Sequence, residues 1–140
     1  MALEAELRRI AEAAVGYAGE DEELAGIVPA EPRSGARVYV CAYRNGEETS
    51  WLVLDARGSP VVDRALVRDS VAIAGLVELA EDAAGLEAPG EPRVATAAEL
   101  DGLGAATGDR QGFATVMQQA TATVEELVRD VERGYKRPLR

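Results

Sequence analysis

The chain has 140 residues, 47% of them hydrophobic, and carries a net charge of −10, which is typical of one acidic globular domain. This charge argues against a nucleic-acid binder and against a protein of anionic membrane surfaces, because both need a basic footprint. Histidine is absent and Cys41 is the only cysteine, so the sequence excludes histidine-based catalytic pairs, an internal disulfide and a cysteine-rich zinc site. We expect no cofactor and no metal.

The N-terminal residues and the longest uncharged run bear on location. The first ten residues, MALEAELRRI, carry acids where a secretory signal is basic and then apolar. Residues 111–124 carry no charge, but this run is too short and too polar to cross a bilayer. We therefore expect a cytoplasmic protein with no membrane contact.

The first predicted element is a helix over residues 2–18. Its apolar residues recur at alternating steps of four and three, which is a helical stripe. They are Leu3, Leu7, Ile10, Ala14 and Tyr17. The helix is followed by an acidic run, residues 20–23, which we expect to be solvated.

A short apolar stretch, residues 24–28, then leads to Pro29. It fits either the end of a second short helix or a third strand. We favour the helix, because Glu22 and Glu23 lead into it. Residues 29–36 are rich in Pro, Gly and Ser and predict a loop.

The stretch from Arg37 to Ala84 organises the rest of the chain, and it begins with a β-hairpin. Residues 37–43 and 49–55 are rich in the β-branched and aromatic residues of strands. Asn45-Gly46 between them predicts a two-residue turn, which places Val40 opposite Trp51 and Val38 opposite Val53.

Side chains alternate across a strand, so each face of this hairpin has a defined set of residues. One face, called here the valine face, carries Val38, Val40, Ala42, Trp51 and Val53. The other, the tyrosine face, carries Tyr39, Cys41, Tyr43, Ser50, Leu52 and Leu54. Neither face is polar. We expect helices over the valine face, and a further strand, a helix or a second subunit over the tyrosine face.

A long helix is predicted next, beginning between Pro60 and Asp63 and ending at Gly85. It is apolar on most of its circumference, which is typical of a central helix. Arg64 and Arg68 lie in its first turns, where they oppose the helix dipole. They face either an anion or the surplus carboxylates of the chain, and we favour the carboxylates.

Two further helices complete the prediction. A capping box, Thr96 to Glu99, indicates a short helix over about residues 97–103. The last helix runs from Asp109 to Arg133, again with an apolar stripe at steps of four and three. Its first half, Gln111–Val124, is uncharged, which indicates packing on more than one side.

These patterns predict a single α+β domain over residues 1–140, in which the hairpin packs against about four helices. A third strand or a second subunit extends the sheet if one is present. The acids and tyrosines form no recognised catalytic motif, so we lean against an enzyme and favour no reaction class. The expected function is a non-catalytic interaction or regulatory module that self-associates, with a second copy or another protein as its partner.

The alternative is a domain that binds a small anionic ligand. Its pocket would lie between the tyrosine face and the uncharged half of the last helix, where polar groups project from an apolar wall. The candidate ligand-binding residues are Tyr39, Tyr43, Ser50, Arg57, Arg64, Arg68, Thr115 and Gln118. The arginines would attract the anionic group at one edge of the pocket.

Overall fold

The computed structural model describes residues 2–32, 36–83 and 110–140. Over these residues the chain forms three helices and a three-stranded antiparallel sheet, so the predicted mixed α+β fold is confirmed. The elements are, in order, α1 (Ala2–Gly16), β1 (Glu23–Ala30), β2 (Val38–Asn45), β3 (Glu48–Asp55), α2 (Arg64–Ala83) and α3 (Arg110–Arg133). The short helix predicted over residues 97–103 lies outside the described residues. None of the described helices is both long enough and apolar enough to cross a membrane.

The sheet has the strand order β1-β2-β3, with both pairs antiparallel. Residues 24–28 therefore belong to a strand, and our preference for a helix there is wrong. The physical reason is that β2 has an edge and two apolar faces to satisfy, and pairing along its full length outweighs the weak local signal of the acids. Ala25 forms a bulge in β1, because Leu24 pairs with Tyr43 and Gly26 with Ala42.

The turn of the β2–β3 hairpin is Gly46-Glu47 rather than Asn45-Gly46, since Asn45 pairs with Glu48. Gly46 has a φ of 61°, and no non-glycine residue of the described chain has a positive φ. This combination fits a type II′ turn, with glycine at the first central position. Each residue of β2 therefore pairs with the β3 residue two positions after the predicted one. Because side chains alternate with a period of two, this shift leaves every side chain on its predicted face.

The valine face packs under α2 and α3. The helices contribute an apolar cluster over Val38, Val40 and Val53. Its buried helical members are Val67, Val71, Ile73, Ala74, Val124, Val128 and Val131. The two helices run antiparallel, since Arg64 lies beside Glu132 while Gly75 lies beside Val124. A Cβ on Gly75 would meet Leu127 Cδ2 at 3.2 Å, so glycine permits the close approach of α3.

The tyrosine face packs under α1. Ile10 and Ala14 of this helix are fully buried against the sheet, together with Tyr39, Cys41, Tyr43, Leu52 and Leu54. The sheet is therefore the middle of three layers, with one helix on one side and two helices on the other.

Candidate interaction surfaces

The tyrosines predicted to line a pocket are buried and bonded to α1. The Tyr39 hydroxyl donates to Glu6, and the Tyr43 hydroxyl donates to the carbonyl oxygen of Ala14 at 2.7 Å. Burial, followed by the bond to Glu6, raises the pKa of Tyr39 to about 12. Burial also raises the pKa of Tyr43. Both hydroxyls therefore serve the contact between α1 and the sheet.

A charged cluster forms around Ser50, the third of the predicted ligand-binding residues on the tyrosine face. Ser50 Oγ donates to Glu22, and Lys136, the one lysine of the chain, also bonds to Glu22. Lys136 Nζ lies 4.4 Å from the centroid of the Tyr43 ring, a cation–π distance. The bonds from Lys136 and then Ser50 lower the pKa of Glu22 from 4.5 to about 2. Sequence reasoning missed this cluster, because Glu22 and Lys136 are 114 positions apart.

The predicted arginines lie elsewhere. Arg64 Nε and Arg68 Nε lie 3.8 and 2.9 Å from the carboxylate of Glu132, so both face a carboxylate of α3, the interpretation that we favoured. Arg57 lies exposed in the turn after β3, where its backbone N–H donates to Asp55 Oδ1 at 2.9 Å. The structure does not bring these arginines and the tyrosines into one site.

Thr115 and Gln118 lie on α3, but their side chains are outside the described part of the chain. Of the described side chains of α3, Val124, Val128 and Val131 pack on the valine face. Because α1 covers the tyrosine face, the sheet separates the described half of α3 from the two tyrosines.

A groove opens between α2 and α3 and encloses about 640 Å³. Its lining is Arg68, Asp69, Ala72, Val124, Glu125, Val128 and Arg129. The apolar residues form the floor, and each helix contributes one arginine and one acid to the walls. Of the predicted site residues whose side chains the structure describes, only Arg68 lines this groove. The helical spacing of Val124 and Val128 indicated an apolar face, but no sequence signal showed that part of it stays open.

Two other hollows are smaller than the groove. One of about 270 Å³ is lined by acids that include Glu20, Asp21 and Glu48, and the other, of about 400 Å³, lies beside Trp51 and Arg133. Within the described ranges, no group of three metal-ligating side chains has a geometry that could hold an ion. Cys41 is fully buried, and burial raises its pKa to about 12, so its thiol is not a nucleophile near neutral pH.

The outer edge of β3 is bonded from Trp51 to Asp55. Trp51 exchanges backbone hydrogen bonds with the segment after α3, from Trp51 N to Gly134 O and from Lys136 N to Trp51 O, both 3.0 Å. Val53 N donates to the Tyr135 hydroxyl at 2.9 Å, and Val53 O accepts from Val61 N at 2.8 Å. Asp55 N donates to Ser59 O at 2.9 Å. No backbone group of Trp51 or Val53 is left for another strand.

Among the described residues no strand pairs with the outer edge of β1, and this edge is poorly suited to pairing. Tyr39 directs its backbone groups at β3, because the alternate β3 residues Val53 and Asp55 bond outward. Pro29, which is opposite Tyr39, therefore faces outward, and a proline there offers no N–H to a new strand. The Ala25 bulge disturbs the same edge further along.

No family model matches the chain, and no curated protein or solved structure shows significant similarity to it.

Proposed function

We propose that this protein is a non-catalytic interaction module that self-associates through the groove between α2 and α3. The observation that carries the proposal is the groove itself, whose lining combines Ala72 with the edges of Val124 and Val128, which are only 4% and 7% exposed at its base. In the described part of the chain, helices cover the β2 and β3 faces of the sheet, the β3 edge is bonded from Trp51 to Asp55, and the β1 edge is blunted by Pro29. The large hydrophobic side chains that remain exposed there are Val15 and Val28, and the groove adds a concave surface with an apolar base.

Charge favours a second copy as that partner. The chain carries −10 overall, so two copies repel each other over most of their surfaces. The described lining of the groove is neutral, because Arg68 and Arg129 balance Asp69 and Glu125. A two-fold interface brings each patch against its own copy, and a patch with equal charges of both signs can pair with itself.

Length and sequence pattern support the same surface. With 20 and 24 residues, α2 and α3 are about 30 and 36 Å long, enough to supply the roughly 800 Å² per partner of a stable interface. The uncharged run of the last helix, residues 111–124, ends at Val124, which lines the groove. An uncharged helix face next to an open apolar floor is typical of an interface core.

The test is a charge reversal inside the groove against a matched reversal outside it. Arg129→Glu places a third acid among the groove residues, whereas Arg133→Glu makes the same change one turn later on α3, away from the groove. Both arginines are exposed, and each pairs with an acid of its own helix. We expect Arg129→Glu to raise the dimer dissociation constant about tenfold or more and Arg133→Glu to raise it much less. Analytical ultracentrifugation measures both constants.

The outcomes separate two claims. If the unaltered chain is a monomer at high micromolar concentration, the proposal of self-association fails. If the chain dimerises and the two reversals weaken it equally, self-association stands, but the groove is not its site.

The second candidate function is the binding of a small anionic ligand in the same groove. Its support is the volume of about 640 Å³, which lies within the range of small-molecule sites, and the presence of Arg68 and Arg129 on opposite walls. We expect an anionic ligand to raise the melting temperature of the chain, and Arg68→Ala to abolish the rise. A thermal-shift panel of inorganic phosphate, citrate and nucleotides tests this, and no shift across the panel counts against it.

A further inference from the structure

Residues 134–140, called here the strap, follow α3 and lie along half of the β3 edge. The strap meets β3 as a short parallel strand, with Tyr135 bridged to Trp51. Beyond this bridge the Tyr135 hydroxyl bonds to the edge in place of a backbone group. It accepts a hydrogen bond from Val53 N at 2.9 Å and donates one to Val61 O at 2.5 Å. The strap thus satisfies the outward N–H groups of Trp51 and Val53, as a paired strand would.

Side chains of the strap contact charged and aromatic side chains on the rest of the protein. Lys136 reaches Glu22 and the face of the Tyr43 ring, and both partners of the ion pair are only 16% exposed. Arg137 lies over the ring of Tyr17, 5.7 Å from its centroid. Arg140 exchanges backbone hydrogen bonds with Val62 and Arg64, at 2.8 and 3.0 Å.

The charge of the strap is opposite to that of its surroundings. It carries Lys136, Arg137 and Arg140 and no acid, which gives +3 and leaves −13 on the remaining residues. Opposite charge favours a basic segment on this surface over an acidic or a neutral one.

The two edges of the sheet differ in how they are protected. β1 carries its own protection, a bulge at Ala25 and the outward Pro29. β3, with the sequence ETSWLVLD, has no proline, glycine or lysine and no bulge. Edges without such residues pair readily with another strand. The β3 edge therefore keeps its capacity to bind an extended segment, and the strap occupies it.

We propose that the β3 edge is a docking site for an extended basic segment with a Tyr-Lys pair, which the strap fills within the chain and the strap of a second copy fills when two chains exchange straps. Exchange gives residues 135–140 the same contacts on the second copy. Its hinge is Gly134, which bonds within its own chain to both Asp130 of α3 and Trp51 and gives up the bond to Trp51 on exchange. This surface is separate from the α2–α3 groove, and the proposal stands whether or not the groove is an interface.

The experiment uses the full chain with the weakened strap Tyr135→Ala/Lys136→Ala, and a synthetic peptide of sequence GYKRPLR as the probe for a second strap. Backbone amide exchange is read at four positions of β3. We expect the amides of Trp51 and Val53 to exchange at least about tenfold faster in the variant than in the unaltered chain. The amides of Leu52, which faces β2, and Asp55, which is covered by Ser59, serve as internal references. Added peptide is expected to restore protection at Trp51 and Val53.

A control peptide with alanine in place of the tyrosine and the lysine is expected to restore nothing. Failure of GYKRPLR to bind at millimolar concentration overturns the proposal, as does equal binding by the control peptide. Unchanged exchange at Trp51 and Val53 shows that the strap does not cover the edge, and also overturns it. If the double variant does not fold, Tyr135→Phe/Lys136→Ala keeps the aromatic ring in place and carries the same comparison. Repeating the measurement with Arg129→Glu added separates this site from the groove, since we expect peptide binding to persist.

Discussion

On the tyrosine face of the sheet, hydroxyl groups of β2 reach polar partners on α1, whereas the described side chains of the valine face meet α2 and α3 through apolar contacts. Tyr39 bonds to Glu6 and Tyr43 to the carbonyl oxygen of Ala14. Opposite them, Val40 and Val53 contact the valines and alanines of two helices. A hydrogen bond fixes one relative position of helix and strand, while apolar contacts accept several. The hydrogen bonds on the tyrosine face therefore fix the position of α1 on the sheet, whereas the apolar contacts on the valine face allow a groove between α2 and α3.

The largest expected effect comes from truncating one side chain on each face. Tyr43→Ala removes a fully buried aromatic ring and is expected to cost about 3–5 kcal/mol of unfolding free energy. Val53→Ala, equally buried on the valine face, is expected to cost about 1.5–2 kcal/mol, the value of two buried methyl groups. Urea unfolding followed by circular dichroism measures both. Equal losses would mean that the two faces do not differ as described.

An exchange of hydroxyl groups between the faces sharpens the comparison. Val53→Thr places a hydroxyl in an apolar cluster and is expected to cost about 1–3 kcal/mol, since a buried polar group loses its water. Tyr43→Phe removes a hydroxyl that has a partner and is expected to cost about 1 kcal/mol. Denaturant midpoints at one pH give both values. A neutral Tyr43→Phe would show that the bond to Ala14 does not hold α1 in place.

A pH-dependent effect is expected from Glu22 on the tyrosine side of the sheet. Its pKa falls to about 2 on folding from the ordinary 4.5, so its ion pair contributes fully to stability above about pH 4.5. The contribution is lost as the pH falls from 4.5 to 2. Glu22→Gln is expected to lower stability at neutral pH and to flatten the acid limb of the melting temperature against pH.

The control for this titration is Glu48→Gln, which removes the same charge from an exposed position at the start of β3. We expect it to leave the acid limb nearly unchanged. If both variants flatten the curve equally, the pH dependence reflects net charge rather than the pairing of Glu22 with Lys136.

The sequence predicted the faces of the sheet but not its register. The alternation of residues 38–43 and 50–54 assigned every side chain to the correct face, although the turn lies one residue further on. The alternation cannot distinguish two registers that differ by two residues, because both place the same side chains on each face. The strand β1 was one of two alternatives and was not the preferred one, because five apolar residues before Pro29 have no period of their own and only pairing with β2 defines them.

The site residues were harder to predict, for a different reason. Arg68 was singled out for its unusual place on a helix, and it lines the groove. Lys136 was not among the predicted site residues, yet it is largely buried against Glu22 and Tyr43. Contacts between residues so far apart in sequence depend on how the layers stack, and local patterns carry no information about that.

The central claim is that two copies associate through the groove between α2 and α3. Its most direct test is the solution mass of the unaltered chain by sedimentation equilibrium, from low to high micromolar concentration, beside Arg129→Glu and Arg133→Glu. We expect a mass that rises toward twice 14.8 kDa for the unaltered chain and for Arg133→Glu, and that rises only at about tenfold higher concentration or more for Arg129→Glu. A mass of 14.8 kDa for the unaltered chain at every concentration would contradict it.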